Sequence, residues 1–195
     1  MGNRVLVIQA ENCTGCRMCE LACSSIKEGE FIPERSRIRV VTNELEGWSR
    51  PTVCLQCMDP MCMEICPVGA IYKKQTSQGD FLVLVNQEKC TECQQCIEAC
   101  PFGVIYFFKK SGVIKCDLCG GNPTCVNFCS YKCLHFVELT DEEYQNRIKK
   151  IKALSIKASK NIDKFNLYRR RVVYSLETSK ISSISGKRTR NKKER

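Results

Sequence analysis

Four runs of four cysteines dominate this 195-residue chain. Cys13, Cys16, Cys19 and Cys23 follow C-x2-C-x2-C-x3-C, and so do Cys90, Cys93, Cys96 and Cys100. Cys54, Cys57, Cys62 and Cys66 stretch the second gap by two residues; Cys116, Cys119, Cys125 and Cys129 stretch it by three. Three thiols on one loop and a fourth four residues on, where a short helix begins, are the ligand spacing of a [4Fe–4S] cluster, which takes four thiolates. The arithmetic gives four such clusters and leaves Cys133 as a spare thiol. Zinc would call for paired C-x2-C knuckles at longer separations, often with histidine. The only histidine is His135, read as a packing or surface residue. A total of 17 cysteines is odd, which argues against a disulfide framework.

The elements that must hold these loops are short. Residues 4–9 read as a buried strand and 37–41 as an edge strand. Residues 42–53 read as a polar connection, with Trp48 packing over a cluster. The spacer between Cys66 and Cys90 reads as a strand pair that turns at 78–80 before a strand at 81–85. A second hairpin is expected over 104–108 and 113–115, turning at Ser111-Gly112. Residues 134–138 close the body. Gly15 suits a loop that curls tightly round a cluster, because glycine accepts positive φ. From Thr140 the sequence Thr-Asp-Glu-Glu is a capping box with Glu143 at the third helical position. Tyr144, Ile148, Ile151, Ala158 and Ile162 then recur at helical spacing.

In chains with two such clusters, the fourth cysteine of each run ligates the other run's cluster. The second and third runs both end in Cys-Pro, continue Gly-Ala-Ile or Gly-Val-Ile, and are adjacent, so they read as one ferredoxin. The first and fourth both end in Cys-Ser, and pair by elimination around it. The expected ligand sets are Cys13, Cys16, Cys19 with Cys129 (cluster 1); Cys116, Cys119, Cys125 with Cys23 (cluster 2); Cys54, Cys57, Cys62 with Cys100 (cluster 3); and Cys90, Cys93, Cys96 with Cys66 (cluster 4). Ile65, Val68, Ile97 and Phe102, next to ligands, are expected to keep water off the clusters. The fold class is therefore α+β: two interleaved bacterial-ferredoxin-like modules plus a C-terminal helical, basic extension. The inner module spans 54–108, the outer comes from 1–53 and 109–139, and 140–195 is a helix and basic docking arm.

Net charge is +10, and it is uneven: residues 140–195 carry +11 and residues 1–139 carry −1. No signal peptide, twin-arginine signal or apolar run of about 18 residues is read, so a cytoplasmic, reducing setting without a membrane span is expected. Phosphate-binding glycine loops and nucleophile elbows are lacking. With sixteen cysteines committed to ligation, little chain remains for a substrate pocket, so no catalytic residue is assigned. A redox sensor binding nucleic acid would explain the basic tail. The tail, however, interleaves few aromatics with its charges, and a sensor needs one cluster, so no nucleic-acid partner is expected.

The run Cys13-Thr-Gly-Cys16-Arg-Met-Cys19-Glu-Leu-Ala-Cys23, with Glu28-Gly-Glu-Phe-Ile-Pro-Glu-Arg-Ser-Arg-Ile-Arg-Val40 after it, resembles the four-cluster iron–sulfur subunits of the DMSO reductase beta-subunit family. The phrasing is most similar to members that serve tungsten or molybdenum aldehyde oxidoreductases. The resemblance covers residues 1–139. It implies four [4Fe–4S] clusters in a line and a large catalytic subunit holding a tungsten- or molybdenum-pterin cofactor. It also implies a further redox partner, or additional copies of the chain, at the other end. A DMSO-reductase-type respiratory partner is the alternative. The implied role is a non-catalytic electron-transfer subunit.

Overall fold

A computed structural model describes residues 3–159. The chain is a cycle of one repeated unit: a cysteine loop, a short helix carrying the third cysteine, then a two-stranded sheet. The helices are α1 (Met18–Glu28), α2 (Met61–Glu64), α3 (Gln95–Ala99) and α4 (Thr124–Asn127). Hairpins β2 (Ile38–Asn43) with β3 (Trp48–Val53), β4 (Ile71–Gln75) with β5 (Phe81–Val85), and β6 (Tyr106–Phe108) with β7 (Gly112–Ile114) join successive runs. The cycle closes where β1 (Arg4–Ile8), before the first run, pairs antiparallel with β8 (Leu134–Glu138), after the fourth. Helix α1 packs on α4, and α2 on α3.

Two cores follow from those pairings. Leu6, Ile8, Ile38, Val40, Val53 and Leu134 bury themselves with Cys19, Cys23, Cys116 and Cys125. Leu55, Ile71, Val83, Phe102, Val104 and Ile105 do so with Cys62, Cys96 and Cys100. The residue after the fourth cysteine separates α1 from α2 and α3, whereas α4, with Ser130 there, is also a single turn. Pro67 and Pro101 cannot continue a helix, and α2 and α3 are a single turn. Ser24 stands there in the first run, and α1 runs on for 11 residues to a left-handed Gly29. Ser24 is fully buried; its hydroxyl donates to the Leu21 carbonyl and accepts from the Ile32 amide, each at 3.1 Å.

The strands fall close to expectation except at 42–53, where the polar connection is instead strand β3 and the turn before it. Pro51 hid it, yet Pro51 fits. It lies opposite Val40, whose amide donates sideways to the buried Glu20 carboxylate at 2.5 Å. The Val40–Pro51 pair is thus one of the non-hydrogen-bonded pairs of the ladder, where proline's missing N–H costs nothing. Trp48 is half-buried; its Nε1 donates to Glu46 at 2.6 Å, and Arg50 stacks 4.3 Å from its ring.

Helix α5 (Asp141–Ser159) opens on the expected capping box, with the Thr140 amide 3.0 Å from the Glu143 carboxylate and the Glu143 amide 3.3 Å from the Thr140 hydroxyl. Its apolar stripe is covered by the body itself. Tyr144 packs on Val5, Val7 and Leu139, while Ile151 and Leu154 join the second core. The Ala158 side chain, Ile162 and the basic extension lie outside the described residues. Among the described residues no helix is long and apolar enough to cross a membrane. Ile151→Ala is expected to destabilise the protein by about 2–4 kcal/mol, the usual cost of an isoleucine truncated in a packed core. Anaerobic urea unfolding measures it; a loss below about 0.5 kcal/mol would mean that α5 is not seated on the body.

Candidate iron–sulfur sites

The same backbone bend recurs in all four cysteine loops. Two residues after the first cysteine the chain turns left-handed: Gly15 at φ 74°, Gln56 at 51°, Glu92 at 56° and Leu118 at 51°. Three of the four are not glycine, and each pays on the order of 1 kcal/mol for that bend. The loop geometry is what repeats, because it brings the first two thiols of a run round to one side. Gly15 is glycine for a second reason: a Cβ there would lie 2.7 Å from the Ser49 hydroxyl.

All seventeen cysteines are free thiols, and only Cys16 and Cys93 are exposed. Mutual electrostatics show which stand together. Burial pushes Cys57 up, and negative charge on Cys54, Cys100 and Cys62 adds to it. Those four thiols also line one cavity, with Phe102, Val104, Ile105 and Lys115. Cys96 is pushed up to about 11 by burial, with Cys90, Cys93 and Cys66 adding to it. Cys125 rises to about 12 through burial and then Cys23 and Cys119. Cys116, fully buried, feels Cys54, Cys125 and Cys23. Cys19 is raised by burial and then by Cys125, Glu20, Cys13 and Cys129. In each run a fourth cysteine of another run is among the charges felt: Cys129 at Cys19, Cys23 at Cys125 and Cys116, Cys100 at Cys57 and Cys66 at Cys96.

The donor set suits iron–sulfur clusters. Backbone amides point at the fourth-cysteine sulfurs: Arg37 at Cys23 (3.3 Å), Ala70 at Cys66 (3.2 Å) and Cys133 at Cys129 (3.2 Å). Such donors stabilise thiolate over thiol. At Cys66 they outweigh burial, and its thiol sits below the ordinary value. Among the described residues no three His, Cys, Asp or Glu side chains converge on a single ion. A zinc ion holds its sulfurs at about 2.3 Å, whereas thiols round a cube of four irons stand farther apart.

Two residues gain a place that spacing did not give them. Cys133, 2% exposed, has its thiol against Cys13. The neighbouring Cys133 thiol, working against burial, holds Cys13 below its ordinary value. Lys115 is buried between the second and fourth runs. Phe102 is buried as expected and Ile97 half-buried, but Ile65 and Val68 stand 46% and 42% exposed and shield nothing. They lie on either side of Cys66, and so face out beside that ligand rather than inward.

Residues 46–139 match the 4Fe-4S dicluster domain family, and residues 10–26 the 4Fe-4S binding domain family. The polyferredoxin-like subunit of an aliphatic sulfonate oxidoreductase from Pyrococcus furiosus is 42% identical over 125 residues, covering 64% of this chain and 70% of that one. The chain belongs to the [4Fe–4S] ferredoxin-type electron-transfer subunits. Formate hydrogenlyase subunit 2 of Escherichia coli is 31% identical over 177 residues, covering 71% of this chain and 84% of that one. The B subunit of the anaerobic dimethyl sulfoxide reductase of Haemophilus influenzae is 32% identical over 152 residues, covering 68% and 72%. A solved complex, BamBC of benzoyl coenzyme A reductase, overlays with a TM-score of 0.42 at 25% identity, over 76% of this chain and 88% of that one. For a ferredoxin-type subunit of this kind, the thiol groups are the functional site.

Proposed function

We propose that the chain passes single electrons along four [4Fe–4S] clusters, between a tungsten- or molybdenum-pterin catalytic subunit and a second redox partner. The ligand sets are those expected from the spacing, held in an inner module (54–108) and an outer one (1–53 with 109–139). The clusters, when bound, supply the one-electron chemistry. The chain's residues hold them in order and keep most of them from water. The observation that carries the reading is how the groups adjoin. Cys19 feels Cys125, Cys116 feels Cys54, and Cys62 feels Cys96. Those three links support the order 1–2–3–4 along a line. The two exposed ligands, Cys16 and Cys93, belong to sets 1 and 4, so the line has its openings at both ends.

The phrasing of the first run favours an aldehyde-oxidising catalytic partner. The Pyrococcus furiosus relative favours a second reading, a partner acting on sulfonates. Both leave the chain non-catalytic and cytoplasmic, with the helix and basic extension of 140–195 as its docking arm. Anaerobic purification of the tagged chain from its host should bring down a larger subunit at one-to-one stoichiometry, with tungsten or molybdenum by metal analysis. Recovery of the chain alone, free of either metal, would contradict the reading.

A further inference from the structure

Lys115 is a buried cation that the four ligand sets do not use. It is 6% exposed and immediately precedes Cys116. Its ammonium donates to the Val83 carbonyl and, at 3.2 Å, to the Cys116 carbonyl. Neither acceptor carries charge. At the equivalent place in the second run the chain has Val53, 1% exposed, and in the third Lys89, which is exposed. An apolar side chain would therefore satisfy packing at this position. Burying an ammonium without a counter-charge costs several kcal/mol, so its presence calls for negative charge nearby. Sulfur supplies it on both sides. Lys115 lines the cavity of Cys54, Cys57, Cys62 and Cys100, and it adjoins Cys116 of the neighbouring set.

We infer that Lys115 is an electrostatic positioning residue of the wire's interior, a fixed positive charge between sets 2 and 3 that raises the reduction potentials of both. The inference rests on the four-cluster reading. An electron entering either group adds negative charge beside the ammonium, and at this burial the attraction is weakly screened. Lys115 gains and loses neither proton nor electron; the electron comes from the adjoining group and leaves to the next. The same charge lowers the repulsion between two neighbouring groups that are both reduced.

The test is a redox titration of the anaerobic full-length protein followed by electron paramagnetic resonance, comparing wild type with Lys115→Met. Two of the four midpoints are expected to fall while the other two hold, at unchanged iron content. Lys115→Gln keeps a donor for the Val83 and Cys116 carbonyls but no charge, and should show the same two shifts. It decides the matter if the methionine variant does not load iron. Should neither variant load, wild type labelled with lysine ζ-nitrogen-15 is expected to show one lysine nitrogen coupled to a reduced cluster, and no coupling would overturn the inference. Unchanged midpoints in variants that hold four clusters would overturn the role of Lys115 alone. A wild type that titrates as fewer than four clusters would contradict the wire itself.

Discussion

Cys66→Ala is expected to cost the third run its cluster and leave the second run's intact. The variant should lose up to about four irons per chain, one cluster's worth, although Cys66 lies in sequence with Cys54, Cys57 and Cys62. Two physical facts support this. The Cys96 thiol feels Cys90, Cys93 and Cys66, whereas the Cys57 thiol feels Cys54, Cys100 and Cys62. Helices α2 and α3 pack together, which brings the end of each run to the start of the other. Double substitutions decide it, because two changes to one site do not add while two changes to separate sites do. Cys66→Ala with Cys93→Ala should lose no more iron than either alone. Cys66→Ala with Cys57→Ala should lose about twice as much. Iron analysis and low-temperature spin quantitation read the outcome. Additivity in the first pair, with none in the second, would mean that each run keeps its own fourth cysteine. Cys23→Ala should act on the fourth run in the same way, since Cys125 and Cys116 both feel Cys23.

The isolated chain is expected to turn over no organic substrate, aldehyde or sulfonate, with any dye acceptor. Adding the catalytic subunit should raise the rate from background to full turnover. The buried interior is filled by the apolar clusters and the buried cysteines within them. The groove beside α5, which includes Met58, Met61, Pro101, Ile148 and Ile156, has one carboxylate-bearing residue from each of two elements, Asp59 and Glu64. Asp59 is engaged by Lys152 at 3.4 Å, and the Ser155 hydroxyl donates to the Met61 sulfur at 3.3 Å. An assay of the pure chain under argon settles the matter. Turnover that persists after every trace of a second subunit is removed would make the chain an enzyme in its own right.

The iron–sulfur character was legible because cluster ligation imposes spacing directly on the sequence, and the matched 4Fe-4S families bear it out. The strand pairs at 71–85 and 106–114 were legible from turn residues and apolar runs. Strand β3 was not. Trp48-Ser-Arg-Pro-Thr-Val shows no clean alternation, and its proline is harmless only because the register places it in a non-hydrogen-bonded pair with Val40, which the sequence does not reveal. The cover of the α5 stripe was also hidden. Periodicity reveals that a helix has an apolar face, not which surface meets it, and here the second core does. Lys115 gave no signal at all. A lysine before a cysteine reads as surface, as Lys89 is, and only the packing of β5 against the fourth run makes Lys115 different. Ile65 and Val68 misled in the opposite sense: apolar neighbours of a ligand read as shields, yet both face outward.

Iron and acid-labile sulfide per chain, measured on anaerobically purified full-length protein, test the central claim most directly. About sixteen of each are expected, four cubes of four, with no zinc. Eight of each would leave one pair of runs without clusters and break the line between its two exposed ends. Zinc in place of iron would contradict the account altogether.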